Sequence, residues 1–386
     1  MSQLRPQAAA PCRRTLFAAL AAPALLAIGS GTASRPAQAS PGLDTAEWEV
    51  FRARFITREG RVVDSFNGGI SHSEGQGWAL LAAERVAERE AFDLILGWTR
   101  RVLSRRGDAL FAWRWRPEGA PGAVTGGAAA GGGGAGGGGV DDANNATDGD
   151  LMIAWALLRA GQRWRDGDYT AQGVAVARDI LRLLVRQVGE ETVLLPGAAG
   201  FEQRDHIVIN PSYYAFPALR VLAQAVPDPV WLRVAADGLA MLRRARFGRW
   251  GLPSDWVALP RGGGRPQPAP GWPARFSYDA VRVPLYLAWA GLGREPAVES
   301  AARFWTDPQH PRLPAWTDLA SDGVSPYAAS AGIRAIALLC QARRLVGPVP
   351  APALPAVIDS KEYYSAILTL LVRMAWADSL SVSIKA

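Results

Sequence analysis

"ATDGDLMIAWALLRAGQRW", residues 146–164, is the stretch on which the fold class turns. Its apolar residues recur at helical spacing for about five turns. Thr147 is placed to cap the helix, with Asp148 and Asp150 in a first turn whose dipole favours acids. Asp148, Leu151, Trp155 and Leu158 are spaced 3, 4 and 3 apart and share one face. Asp148 therefore points inward with the apolar stripe, while Asp150, about 200° around, is expected to cap or to meet solvent. An inward carboxylate at a helix mouth is either paired with an arginine or functional.

The same periodicity recurs on both sides, at 44–55, 74–89, 90–104, 170–188, 212–225, 228–245, 278–291, 295–305, 326–345 and 360–376. Strand-like pieces are short: "GRVVDS", "ETVLLPG" and "HIVIN". A string of helix pairs predicts an all-α toroid with a site built from loops at one end. "EGAPGAVTGGAAAGGGGAGGGGV" places twelve glycines between 119 and 139, too little side chain to offset its ordering entropy, and is expected as a flexible insertion within one domain. The proline-rich run 347–356 is expected to carry the chain over the surface to a last helix.

At the N-terminus, "CRRTLFAALAAPALLAIG" joins basic residues to an apolar run, and "AQA" at 37–39 offers small residues for cleavage. Residues 1–39 are expected to be an export signal, with Arg13 and Arg14 before Thr15, Leu16 and Phe17 resembling a twin-arginine type. The mature protein would then be periplasmic or secreted, with no stable membrane span. The segment holds four arginines and no acid, so its removal lowers the net charge from +7 to +3. The remaining arginines are scattered, which argues against nucleic acid as a partner. Cys12 leaves with the signal, and Cys340 lies in an apolar helical pattern as a buried residue with no disulfide partner. His72, His206 and His310 are far apart, so neither a metal nor a cofactor is expected.

Two further acidic stretches stand at helix starts. In "SHSEGQGWALL", residues 71–81, Ser73 is a plausible cap for a helix with Glu74 in its first turn. A cap leaves Gly75 and Gly77 unexplained, since each costs up to about 1 kcal/mol against alanine in a helix. They imply that backbone comes close to something there, either a sugar or a neighbouring helix. In "FSYDAVRVPLYLAWAG", residues 276–291, Asp279, Arg282, Tyr286 and Trp289 follow helical spacing. A local Asp279 to Arg282 ion pair is the plain structural explanation. Pro284 must either start the regular helix or kink it.

Taken in order, these stretches resemble glycoside hydrolase family 8, especially its bacterial cellulase branch associated with cellulose synthesis. "SEGQGWALLAA" is similar to the segment holding that family's general acid, "ATDGDLMIAWALLRAGQRW" to its signature stretch, and "SYDAVRVPLYLAW" to the segment holding its general base. "LLPG" with "NPSYYAFPAL" resembles the middle region, and the resemblance runs from about Trp48 to Cys340. It implies an (α/α)6 barrel of six inner and six outer helices with an open substrate cleft, one helix more than the eleven periodic segments. It also implies inverting hydrolysis of β-1,4 bonds by an endoglucanase acting on a β-1,4-glucan chain. Glu74 would be the acid, Asp279 the base and Asp148 the group holding the central sugar. Tyr213 and Arg282 would lie near the attacking water. Relatives within the resemblance cut xylan, mixed-linkage glucan or chitosan. A non-catalytic glycan-binding factor of a polysaccharide synthase system is the alternative from another class, and cellulose synthase machinery is a possible partner.

Fifteen tryptophans supply flat apolar surface suited to sugar faces. Trp113, Trp115, Tyr214, Trp256 and Tyr278 are candidate sugar platforms, whereas Trp155, Trp289 and Trp376 lie in helical stripes and are expected in the core. Asp255, beside Trp256, would bind a hydroxyl or hold a turn. A general acid near neutral pH needs a raised pKa, yet a helix N-terminus lowers it. Asp148 and an aromatic wall are expected to keep Glu74 protonated.

Overall fold

Helices dominate the computed structural model, which describes residues 43–119, 138–345 and 352–383. The expected export signal (1–39) and most of the glycine-rich insertion lie outside the described residues. In chain order the helices are α1 (Thr45–Phe55), α2 (Ser73–Arg85), α3 (Arg89–Leu103), α4 (Thr147–Trp164), α5 (Gly167–Leu184), α6 (Phe216–Ala225), α7 (Pro229–Arg244), α8 (Arg282–Trp289), α9 (Pro296–Trp305), α10 (Ala331–Arg343) and α11 (Tyr363–Ser383). All eleven periodic segments are helical.

Burial sorts these helices into two layers. Along α4, Thr147–Leu158 is buried on every side, as is all of α8 and Ser365–Trp376 of α11. By contrast α3, α5, α7 and α9 are amphipathic, burying one stripe and exposing the other. An inner ring runs α2, α4, α6, α8, α10, α11 and back to α2, with α1, α3, α5, α7 and α9 packed outside it. This is the (α/α)6 barrel. The expected twelfth helix does not occur among the described residues. Between α10 and α11 lies the proline-rich run 347–356, of which 347–351 fall outside the described residues. Prolines lack the amide a helix needs, and within 352–362 the only helical turn is the 3-10 turn Val357–Asp359. No described helix is long and apolar enough to cross a membrane.

Short strands decorate the loop ends. β1 (Ser71–His72), β2 (Ala112–Pro117) and β3 (Gly138–Asn145) form an antiparallel sheet in that order. β4 (Val185–Val188) pairs with β5 (Glu191–Leu194). β6 (His206–Ile209), β7 (Val257–Pro260) and β8 (Gln267–Pro268) form a second three-stranded sheet, and β9 (Arg275–Phe276) pairs with β10 (Thr317–Asp318). "ETVLLPG" and "HIVIN" become β5 and β6. "GRVVDS" makes only isolated bridges, Ile56 to Val62 and Asp64 to Ile70.

The core holds the expected tryptophans. Trp155 and Trp289 lie tilted together, ring centroids 5.0 Å apart, and Trp376 and Cys340 are buried. Glycine sets the spacing of the inner ring. A Cβ on Gly77 would lie 2.6 Å from Met152 Cβ, and one on Gly149 would lie 2.2 Å from Ser73 Oγ and 2.7 Å from the Glu74 nitrogen. The space left by Gly77 is filled by α4, so the close approach is helix against helix and not helix against sugar.

Candidate active site

The N-termini of α2, α4 and α8 meet at one end of the barrel. α2 begins one residue earlier than expected: Ser73 is its first residue, and the cap is His72, whose Nδ1 accepts the Gly75 amide proton at 3.1 Å. Ser73 therefore does not cap. Thr147 is likewise already helical, and its hydroxyl donates to the Leu195 carbonyl at 2.6 Å, tying α4 to the segment after β5. At α8, Pro284 occupies the third position, where the missing amide proton would have no helical partner, so it starts the helix without kinking it.

Three carboxylates converge on one guanidinium. Arg282 Nη1 contacts Glu74 Oε1 and donates to Asp148 Oδ2 at 3.1 Å, while Nη2 donates to Asp279 Oδ1 at 2.6 Å. The arginine pairing expected for Asp148 is thus present, with Arg282 as its partner. The Arg282 and Asp148 side chains are 3% and 2% exposed, whereas Asp279 is 31% open to a cavity of about 510 Å³. Trp78 lies under the guanidinium, 5.3 Å from ring centroid to Cζ, and its indole donates to the Tyr286 hydroxyl at 3.2 Å. Cation–π contact and three charge-assisted bonds hold Arg282 in place.

Burial pushes the Asp148 carboxyl up to about 7, against the Gly149 amide that donates to it at 2.8 Å. Asp279 is raised well above the usual carboxylate range by burial and by the charges of Asp255 and Asp148, with hydrogen bonds from Asn210 and Trp256 opposing. The Arg282 contact opposes it as well. The Tyr213 hydroxyl, hydrogen-bonded to Asp148, is raised by burial and by Asp148 and Asp279. The polar neighbours of Glu74 are the Arg282 guanidinium and His72, whose Nδ1 lies 3.8 Å from Glu74 Oε2, and Glu74 lines the same cavity as Trp113, Tyr213, Tyr278 and Tyr364.

The aromatic candidates divide. Trp113 and Tyr278 line the cavity, Tyr278 being 45% exposed with its hydroxyl 3.0 Å from that of Tyr327. Trp115 does not line it. Register shifts on either side of Arg114 break the alternation that would put Trp113 and Trp115 on one face. Trp115 packs edge-on against Trp98 and closes over Gly138, where a Cβ would lie 2.3 Å from its ring. Tyr214 is 2% exposed, and its hydroxyl accepts the Leu194 amide at 3.0 Å, so it is a core residue. Trp256 is stacked by Phe201 at 5.7 Å and Trp272 at 5.3 Å and reaches the site by its edge, toward Tyr213 and Asp279.

Two acids support the site from behind. Asp255 accepts the amides of Ser277 at 3.0 Å and Ala280 at 2.8 Å, bracketing Asp279, so the turn role is the one realised. Asp150 is buried, not solvated: it accepts the Phe111 amide at 2.9 Å and Asn145 Nδ2 at 2.8 Å, clamping the β2–β3 hairpin to α4. Sequence reasoning missed Asp64, Phe66, Asn67, Glu362 and Tyr364, which also line the cavity. Asp64, Phe66 and Asn67 lie in the loop before α2, where spacing carries no signal, whereas Glu362 and Tyr364 stand at the start of α11, where periodicity alone does not mark a cavity-facing residue. Among the described residues no group of three or more His, Cys, Asp or Glu side chains is arranged to hold a metal.

Comparison with known proteins places the chain in one family. The model of the family described as Glycosyl hydrolases family 8 matches residues 24–378. A probable endoglucanase from Novacetimonas hansenii is 40% identical over 342 residues, 89% of this chain and 93% of its own. An endoglucanase from Cellulomonas uda is 38% identical over 291 residues, 75% of each chain. The solved structure of endo-beta-1,4-glucanase CMCax from Acetobacter xylinum matches with a TM-score of 0.76 at 40% identity, covering 87% of this chain and 98% of that one.

Proposed function

The chain belongs to glycosyl hydrolase family 8, and from that premise we propose that it is an exported endo-β-1,4-glucanase that cuts internal bonds of a β-1,4-glucan with inversion and trims cellulose during its synthesis. The observation that carries this reading is the convergence of Glu74, Asp148 and Asp279 on Arg282 at an open cavity. Inversion needs one protonated and one ionised carboxyl, separated by roughly 6.5 to 9.5 Å so that water fits between base and sugar. Glu74 and Asp279 meet different nitrogens of Arg282, so a guanidinium stands between them.

In this mechanism Glu74 protonates the leaving glycosidic oxygen. Asp279 takes a proton from the water that attacks the anomeric carbon from the opposite face. Asp148, with Tyr213, holds the hydroxyls of the central sugar, and Arg282 orients Asp279 and the water. Trp113 and Tyr278 offer flat surface to neighbouring sugars. A binding factor would need neither an acid nor a base. A reducing-sugar assay on carboxymethylcellulose, xylan, lichenan and chitosan tests the reading: release from carboxymethylcellulose that Glu74→Gln abolishes is expected. Equal activity in wild type and Glu74→Gln would remove Glu74 from its role, and binding without cleavage by both would leave the glycan-binding alternative.

A further inference from the structure

His72 immediately precedes α2 and folds back over its first turn. Its Nδ1 accepts the Gly75 amide proton at 3.1 Å. A nitrogen that accepts cannot carry a proton, so the neutral ring holds its hydrogen on Nε2, which faces Asp64 Oδ2 at 3.8 Å. The same Nδ1 lies 3.8 Å from Glu74 Oε2. The ring stands edge-on to Tyr363, centroids 5.8 Å apart. It fits because residue 75 has no side chain: a Cβ there would lie 3.2 Å from His72 Cε1 and 2.5 Å from the Tyr363 hydroxyl. Serine, threonine, aspartate or asparagine would suffice to cap a helix. The imidazole caps and also stands against the carboxyl of Glu74.

We infer that His72 is a positioning residue for Glu74, fixing the first turn of α2 and the place of the Glu74 carboxyl as a neutral ring whose Nδ1 is an acceptor. The inference rests on Glu74 being the proton donor. Protonation of the ring would end both contributions. Nδ1–H would face the Gly75 N–H, and a second cation 3.8 Å from Glu74, added to the Arg282 guanidinium already in contact with it, would further favour the carboxylate, which has no proton to give. The groups facing the ring are Asp64 from the preceding loop, Glu74 on α2, Asp148 on α4 and Tyr363 on α11. Arg282 lies beyond Glu74, and Arg114, opposite His72 across β1 and β2, directs its guanidinium to Asp141. The neutral ring is therefore the form that supports turnover.

The test compares wild type, His72→Ala and His72→Asn on a soluble cello-oligosaccharide, measuring kcat and KM against pH and the thermal midpoint of each protein. Asparagine Oδ1 can accept the Gly75 amide but does not titrate. The expected result is a kcat lowered roughly 10- to 100-fold in His72→Ala with KM little changed, the scale of a small misplacement of a reacting group. His72→Asn should recover most of that kcat and lose the imidazole component of the acid limb. An unchanged kcat per folded molecule in His72→Ala, or an unchanged acid limb in His72→Asn, overturns the inference. Should His72→Ala fail to fold, the acid limb of His72→Asn still decides. A wild type that cleaves no β-glucan overturns the reading of the site instead.

Discussion

Arg282 and Asp279 are three residues apart and joined by a 2.6 Å hydrogen bond, yet the same guanidinium also contacts Glu74 and Asp148, more than a hundred residues away in sequence. A local ion pair within one helix start is thus the point where three inner helices are tied together. Arg282→Lys keeps the charge but not the fork, and one ammonium cannot serve three carboxylates with the same geometry. We expect kcat/KM to fall at least about 100-fold, as for other misplaced reacting groups. Near wild-type turnover in Arg282→Lys would show that charge alone is required.

Asp148 and Glu74 share Nη1 of Arg282, so each feels the charge of the other. Replacing Asp148 with asparagine removes a negative charge beside the proposed proton donor and eases its ionisation. The basic limb of the kcat profile, where the donor loses its proton, should move to lower pH in Asp148→Asn. A basic limb that stays in place would mean that Asp148 does not hold the proton on Glu74.

Neighbouring tyrosines should behave oppositely. Tyr213 shares a hydrogen bond with Asp148 at the cavity, and Tyr213→Phe is expected to lower kcat with little change in unfolding midpoint. Tyr214→Phe strands the buried Leu194 amide, a loss of about 1–3 kcal/mol in stability, and should leave kcat of the folded enzyme alone. Equal kinetic effects of both changes would place Tyr214 in the site after all.

Helical stripes made most of this molecule legible. Asp148, Leu151, Trp155 and Leu158 share a face because a helix turns every 3.6 residues, and that alone sends Asp148 inward. The same arithmetic anticipated the buried Trp289 and Cys340. It fails where the backbone leaves the period. Tyr213 and Tyr214 sit at the end of a 3-10 turn, and Trp113 and Trp115 are divided by register shifts in β2, so adjacent or alternating aromatics have different fates. Glycine was ambiguous for another reason. Gly77 signals a close approach, but nothing in a sequence says whether Met152 or a sugar makes it. The His72 cap was hidden because small hydroxyl and carboxylate side chains dominate that role.

The close approach itself is testable. A Cβ on Gly77 would lie 2.6 Å from Met152 Cβ and 3.0 Å from the Ile153 nitrogen, so Gly77→Ala must push α2 from α4. Overpacking of this kind costs about 1–3 kcal/mol, outweighing alanine's better helix propensity of up to about 1 kcal/mol. Both helices carry a carboxylate to Arg282, so activity should fall with stability. Denaturant unfolding beside kcat measurements checks this, and a Gly77→Ala protein as stable and active as wild type would show that the helices have room to spare.

Asp150 allows the sign of a pH effect to be worked out. Burial raises its carboxyl to about 7, against the Phe111 amide and Asn145. An acid whose folded pKa exceeds its unfolded value near 3.9 holds its proton better when folded. It therefore contributes stability at low pH, which is lost as pH rises from about 4 through about 7. Asp150→Asn removes the titration, so urea unfolding should show a smaller drop in stability between pH 5 and pH 8 than in wild type. An identical drop in both proteins would mean that Asp150 stays ionised across the range, held by its two donors more firmly than burial opposes them.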